Sequence, residues 1–128
     1  MTWVVDASVA VAYLLGDATE VERRAMLGDA HAPAFVDVEV TQTLRGLLRG
    51  SKIGQATADV GREELAQLAV HRHLDAHLLG RCWDLRDVCT IYDGLYVALA
   101  EALDATLITR DGPLARAVAT TIDVVLAG

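Results

Sequence analysis

The sequence has 128 residues, of which 18 are Asp or Glu and 11 are Lys or Arg, so the formal net charge is −7. This length suits one domain with a single core, and a hydrophobic fraction of 53% excludes a disordered or low-complexity chain. Nucleic acids are negatively charged and attract basic surfaces, whereas this chain is acidic. Charge alone therefore predicts a protein that does not bind DNA or RNA.

The amino terminus does not resemble a secretory signal, because it lacks basic residues and Asp6 interrupts its apolar run. No apolar stretch reaches the roughly 18 residues that a membrane span requires. Cys82 and Cys89 occur in a helical pattern that would place both on one face, which predicts buried thiols in a reducing compartment rather than a metal or redox pair. These features predict a cytoplasmic protein without a membrane partner.

Hydrophobic periodicity and turn residues predict alternating strands and helices. In chain order, we expect a strand at 3–5, helices at 8–15 and 18–27, a strand at 31–35, helices at 36–48 and 57–68, a strand at 70–74, a helix from an Asp75 N-cap to 85, a helix at 95–103 opened by a capping box at 90–93, a strand at 106–109, a helix at 113–118 and a strand at 122–126. Short strands alternating with longer helices favour a parallel sheet covered by helices, in a single α/β domain.

Four acidic residues fall where such a fold concentrates its chemistry. Asp6 follows the first strand and Asp111 follows the strand at 106–109, so both should lie in the crevice at the carboxyl ends of the strands. Asp93 opens a helix, and Glu39 lies at the border of the apolar stripe of another. Taken singly, each could be a helix cap, a turn residue or a first-turn charge.

Gathered together, the four carboxylates would repel one another and raise one another's pKa unless a cation were present. Mg²⁺ prefers oxygen ligands and is commonly held by a few carboxylates together with substrate phosphate. Such an ion can activate water and stabilise a leaving oxygen. The pattern therefore points to metal-assisted hydrolysis of phosphodiester bonds.

Four motifs in order resemble the PIN-domain ribonucleases, in particular the VapC-type toxins of bacterial toxin–antitoxin pairs: VVDASV near the start, P-x5-EV at 33–40, YDGLYVALAEAL from Tyr92 and LITRDGPLARA from Leu107. The resemblance covers nearly the whole chain. It implies a single PIN domain at 1–128, folded as a three-layer α/β/α sandwich around a central parallel sheet of about five short strands. Gly112 and Pro113, directly after Asp111, are a mild departure from the pattern.

The resemblance also implies the site. The catalytic, metal-binding acids would be Asp6, Glu39, Asp93 and Asp111, supported by the hydroxyl groups of Ser8 and Thr109. A carboxylate-bound Mg²⁺ or Mn²⁺ hydroxide would cleave structured RNA, either tRNA or rRNA. A cognate VapB antitoxin would block the acids with a basic side chain, and the toxin would form a homodimer within a higher toxin–antitoxin assembly. With the acids confined to one pocket, the net charge no longer argues against RNA.

Several charged residues remain open between two interpretations. Arg45, Arg49, Lys52 and Arg110 could hold RNA phosphates or could lie on solvated surfaces. Asp37 is interpreted as a favourable first-turn charge beside the site.

The segment 71–77 holds three histidines and Asp75, loosely similar to the zinc-ligand motif of metallohydrolases, but the spacing is off by one and no later histidine completes the set. His31 is isolated in the sequence. We interpret the segment as a polar strand edge that leads into an Asp-capped helix.

Two functions of other classes remain as alternatives. A response-regulator receiver domain would have an acidic pocket on a similar fold, but it needs a lysine after a late strand, and the only lysine here is Lys52. An inactive PIN domain could serve purely as a binding module, although all four acids are present.

Overall fold

A computed structural model describes all residues 1–128 and shows strands and helices in alternation. The strands are β1 (Thr2–Val5), β2 (Asp29–Pro33), β3 (His71–His73), β4 (Thr106–Thr109) and β5 (Val124–Leu126). The helices are α1 (Ala7–Leu14), α2 (Glu20–Leu27), α3 (Val36–Arg49), α4 (Gln55–Leu65), α5 (Leu79–Asp84), α6 (Ile91–Leu103) and α7 (Gly112–Val118), with a 3₁₀ turn at Ala76–Leu78. No helix is long and apolar enough to cross a membrane.

All five strands are parallel, in the order β3-β2-β1-β4-β5. The chain moves outward from β1 through β2 to β3, and then returns to the other side of β1 to form β4 and β5. The change of direction leaves a crevice at the carboxyl ends of β1 and β4, which is where open parallel sheets bind their ligands. The helices flank the sheet, so the predicted α/β/α architecture with a five-stranded parallel sheet is confirmed.

The centre of the sheet is apolar on both faces. Val4, Val5, Leu107 and Ile108 are all fully buried, as expected for strands covered by helices on each side. Helix α6 packs against β1, β2 and β4 and is buried continuously from Gly94 to Ala100. Residues 94–100 of this helix are therefore covered on every side, while its first turn carries Asp93 and its last turn carries the exposed Glu101.

The region around β3 differs most from the sequence prediction. Asp75 does not cap a helix: its Oδ1 accepts a hydrogen bond from the backbone N–H of Phe35 at 3.2 Å, and the chain after it forms a 3₁₀ turn. Helix α5 then ends at Asp84, so Cys82 and Cys89 do not share a helix face. Cys82 is buried and Cys89 partly buried, and burial raises the pKa of both free thiols.

An internal ion pair joins α2 to the loop after β4. Glu22 is completely buried, and Arg110 donates to both of its carboxylate oxygens at 2.7 Å. Arg110 also donates to the carbonyl oxygen of Asp17 at 3.0 Å. Of the two interpretations left open for Arg110, a phosphate contact or a solvated surface residue, the structure shows neither: its guanidinium binds the buried Glu22.

Replacing Arg110 by alanine should lower the free energy of unfolding by about 2–4 kcal/mol, because it leaves Glu22 buried without its cation. Arg110 lowers the pKa of Glu22, so this contribution is present above the ordinary pKa of a glutamate and is lost as the pH falls through the lowered value. Urea unfolding at neutral and acidic pH measures both effects.

Arg81→Ala is the matched control. Arg81 also donates two hydrogen bonds to a glutamate, Glu101, but both side chains are about 40% exposed, so replacing Arg81 should lower the free energy of unfolding far less than replacing Arg110. Equal losses in the two variants would contradict the structural role assigned to Arg110.

Candidate active site

Asp6 lies at the centre of the candidate site. It follows β1 directly, caps the N-terminus of α1, and is only 6% exposed. Its Oδ1 accepts from the backbone N–H of Ala7 at 2.8 Å, and its Oδ2 accepts from the hydroxyl groups of Thr109 at 2.6 Å and Ser8 at 3.1 Å. Asp6 can therefore both cap α1 and take part in the site, because capping uses only one of its two carboxylate oxygens, Oδ1.

Thr109 and Ser8 connect Asp6 to the loop after β4. The Thr109 hydroxyl also accepts from the backbone N–H of Asp111 at 3.0 Å, and the Ser8 hydroxyl accepts from that of Arg110 at 3.1 Å. Each hydroxyl therefore donates to Asp6 and accepts from the neighbouring loop. These contacts fix the ends of the two central strands relative to each other.

Asp111 is exposed and caps α7, where its Oδ1 accepts from the backbone N–H of Leu114 at 3.0 Å. Pro113 sits in the first turn of this helix, where a missing N–H costs nothing. The Gly-Pro departure from the motif therefore leaves Asp111 able to cap α7 with Oδ1, and its Oδ2 accepts no hydrogen bond.

The two remaining acids come from helices. Asp93 lies in the first turn of α6, where the Thr90 hydroxyl accepts from its backbone N–H at 3.1 Å. Glu39 lies in the first turn of α3 and is partly buried. The hydroxyl of Tyr96 donates to its Oε1 at 2.8 Å.

The four acids lie near enough to one another to influence each other's ionisation. Burial is the first cause of a raised pKa in Asp6, Glu39 and Asp93. The second cause is mutual repulsion: Asp111 acts on Asp6 and Asp93, and Asp6 acts on Glu39 and Asp93. Without a cation, the pocket therefore holds a concentration of negative charge that destabilises the fold.

Tyr96 is the residue that sequence reasoning missed. It is completely buried, and burial together with the nearby acids raises the pKa of its hydroxyl, which keeps it a proton donor toward Glu39. Tyr96 follows Asp93 by one helical turn on an otherwise apolar helix. That spacing is the signal that could have associated it with the site.

Other candidate residues lie outside the pocket. Asp37 forms an ion pair with Arg72 at 3.0 Å, and Arg72 also donates to the carbonyl oxygens of Leu65 and Leu68 near the end of α4. Arg45, Arg49 and Lys52 are exposed and form no ion pair. Arg45 lines a shallow cleft between α3 and α4 together with Arg62.

The donor set of the pocket suits a hard divalent cation. The four converging side chains offer carboxylate oxygens only, and Mg²⁺ prefers such ligands to the nitrogen or sulfur of His or Cys. Asp6 and Glu39 each accept hydrogen bonds that orient the carboxylate, as ligating groups usually do. The residues present therefore fit the kind of ion that the motifs predict.

Comparison with known proteins identifies the family. Residues 3–119 match the PIN domain family. The chain is a VapC-type PIN domain. It is 39% identical over 117 residues to ribonuclease VapC3 of Mycobacterium tuberculosis, which covers 89% of this chain and 85% of that protein. It is 38% identical over 108 residues to VapC ribonuclease Mb0985 of Mycobacterium bovis, covering 84% of each.

A third relative is ribonuclease VapC1 of Mycobacterium tuberculosis, 37% identical over 118 residues and covering 89% of each chain. The family predicted from the four motifs is thereby confirmed. The receiver-domain alternative is excluded, since the PIN match spans most of the chain.

Replacing Asp93 by asparagine should stabilise the metal-free VapC-type domain and raise its Tm by about 2–5 °C, since it removes a charge that is opposed first by burial and then by repulsion from Asp6 and Asp111. An acid with a raised pKa binds more protons in the folded than in the unfolded state. Stability should therefore fall as the pH rises from the ordinary aspartate value of 3.8 through the raised value, and the variant should lose part of this dependence.

Thermal unfolding in chelator from mildly acidic to neutral pH provides the measurement. Asp87→Asn is the matched control, because Asp87 is exposed and makes no hydrogen bond. A Tm for Asp93→Asn equal to that of the control at every pH would show that the acids of the pocket do not repel one another.

Proposed function

We propose that this chain is a metal-dependent endoribonuclease toxin that cleaves structured RNA, either tRNA or rRNA, with residues 1–128 acting as one PIN domain. The observation that supports this proposal most strongly is the convergence of four carboxylates, three of them with raised pKa, at the crevice beside β1 and β4. Its relatives are named ribonucleases, which indicates the substrate class.

Asp6, Glu39, Asp93 and Asp111 would hold Mg²⁺, and Mn²⁺ is expected to substitute for it. When bound, such a cation supplies activation of water and neutralises charge on the scissile phosphate. The protein's own contribution is orientation: two hydroxyl groups and a backbone N–H fix Asp6, and Tyr96 positions Glu39. No side chain in the pocket is placed as a nucleophile in this proposal.

RNA also needs cationic contacts outside the acidic pocket. Arg45 and Arg49 extend along α3 beyond Glu39, and Lys52 follows the end of that helix. Because none of them is paired within the protein, they are available to phosphates. We therefore propose this face of α3 as the approach for the RNA backbone.

The proposed regulator is a VapB-type antitoxin that places a basic side chain against the four acids. Exposure of Asp111 leaves the pocket open to such a group. The gene immediately upstream is expected to encode a small protein with a DNA-binding amino terminus and a basic or aromatic carboxyl-terminal tail, and co-expression with it should give a stable complex without cleavage activity. Free toxin with full activity in the presence of that gene product would contradict this part of the proposal.

We further propose a homodimer within a higher toxin–antitoxin assembly. Large apolar side chains on α5 and at the start of α6 are exposed, among them Leu79, Trp83 and Tyr92, and such surfaces commonly mark interfaces. Light scattering of the purified protein should give twice the chain mass of 13.7 kDa. A mass equal to one chain would contradict the dimer.

Paired variants in the first turn of α3 test the proposed site. Glu39→Gln should reduce Mg²⁺-dependent RNA cleavage by roughly 100-fold or more, because it removes a charged ligand while conserving shape. Asp37→Asn is the matched control: it neutralises an acid two residues away that pairs with Arg72 instead, and it should keep near wild-type activity. The measurement is cleavage of purified tRNA and rRNA, with chelator and with added Mg²⁺ or Mn²⁺.

Sequencing of RNA ends after induction, beside an Asp6→Ala strain, identifies the target. Wild-type cleavage that persists in chelator, or undiminished activity of Glu39→Gln after contamination controls, would overturn the proposed mechanism. A wild-type protein that binds RNA but never cleaves it would favour the inactive binding module.

A further inference from the structure

A second cluster of metal-ligating side chains lies away from the four acids, where β2 pairs with β3. The parallel register sets His31 opposite His71, and the two imidazole rings stack with centroids 4.8 Å apart. Asp29 lies two residues before His31 on β2, and His73 lies two residues after His71 on β3. All four side chains therefore point to the same face of the sheet. His31 is thus not isolated, and the histidines of β3 form more than a polar strand edge.

The ligand atoms of Asp29, His31 and His71 all lie within 4.8 Å of one another. Ligands that share a tetrahedral Zn²⁺ lie about 3.3 Å apart, as bond lengths of about 2.0–2.1 Å require. Asp29 Oδ1 and His31 Nε2 are already 2.8 Å apart, so a small separation of these two atoms would admit an ion between them. The Asp29 side chain is 52% exposed, which gives an ion access from solvent.

The remaining contacts of the cluster resemble the outer support of a metal site. The Thr2 hydroxyl donates to Asp29 Oδ2 at 3.0 Å and so orients the carboxylate. Without an ion, His31 Nε2 carries a proton and donates to the Asp29 carboxylate at 2.8 Å. With Nε2 as a metal ligand, the ring proton would be on Nδ1, which lies 2.8 Å from His73 Nε2 and can donate to it. Ligating histidines usually donate their second ring N–H to a carboxylate, a backbone carbonyl or water, which fixes tautomer and orientation, and His73 Nε2 would be the acceptor here.

We propose that Asp29, His31 and His71 bind a divalent transition-metal ion, Zn²⁺ in the first instance, with His73 as the residue that positions His31. Two imidazole nitrogens and one carboxylate oxygen suit Zn²⁺, whereas Mg²⁺ is held by oxygen ligands. Because none of the four acids of the active-site pocket takes part, this site is independent of the proposed nuclease function.

An ion at this place would connect the edge strand to its neighbour. Strand β3 has only three residues and pairs on one side alone. Asp75, two residues after it, accepts from the backbone of Phe35, and Phe35 stacks on Tyr92 beside Asp93. Zn²⁺ should therefore raise the Tm of the protein and order the segment that packs beside the acidic pocket.

The test is a Zn²⁺ titration of the metal-stripped full chain against a chromogenic chelator, with excess Mg²⁺ present to occupy the carboxylate pocket. The wild type should take up about one equivalent of Zn²⁺, and His71→Ala should bind at least roughly tenfold more weakly. His73→Gln should weaken binding by about 10–100-fold through loss of support to His31. The absorption spectrum with Co²⁺ in place of Zn²⁺ should show tetrahedral coordination.

His77→Ala is the matched control, since His77 is the one histidine outside the cluster and is exposed. Asp93→Asn controls for binding at the acidic pocket, and both controls should keep wild-type affinity. His71 is itself exposed, so its replacement should leave the fold intact, which far-UV circular dichroism checks. The proposal is overturned if the wild type binds no Zn²⁺, if His71→Ala retains full affinity, or if the loss occurs in Asp93→Asn instead.

Discussion

The hydrogen bond from the Thr109 hydroxyl to the Asp6 carboxylate, 2.6 Å long and fully buried, joins the ends of the two central strands. It continues the β1–β4 ladder by one residue, since Val5 is in register with Ile108 and the Asp6 N–H donates to the carbonyl oxygen of Ile108. Because the same hydroxyl accepts from the N–H of Asp111, the position of one acid determines that of the other. The crevice is therefore fixed by the sheet itself.

This arrangement carries an electrostatic cost. Desolvation and like-charge repulsion oppose ionisation of Asp6, Glu39 and Asp93, while hydrogen bonds from Thr109, Ser8 and Tyr96 favour the charged forms. For Asp6, burial outweighs three donors, so its pKa stays raised. A site held in this state lowers the stability of the metal-free protein, and the apolar core on both faces of the sheet compensates.

The parts of the structure predictable from sequence are those with local or topological causes. Asp6 directly follows β1 and Asp111 lies two residues after the end of β4. Because parallel strands bring their carboxyl ends together, these two acids could be placed at the crevice from the sequence. Contacts between distant segments could not. Arg110 meets Glu22 across 88 positions, and His31 meets His73 across 42, in pairings that no periodicity encodes. The prediction that Asp75 caps a helix was wrong for the same reason. Its carboxylate instead accepts a hydrogen bond from the backbone N–H of Phe35, 40 positions away.

Net charge was misleading because it averages over the surface. Four of the 18 acids of this VapC-type chain converge on one crevice, and Glu22 is neutralised inside the protein by Arg110. The basic residues of α3 and its C-terminal turn, in contrast, lie exposed without acidic partners. A phosphate backbone responds to the local field within about 10 Å at moderate salt rather than to the total of −7. A chain that is acidic overall can therefore still present an exposed row of basic residues to a phosphate backbone.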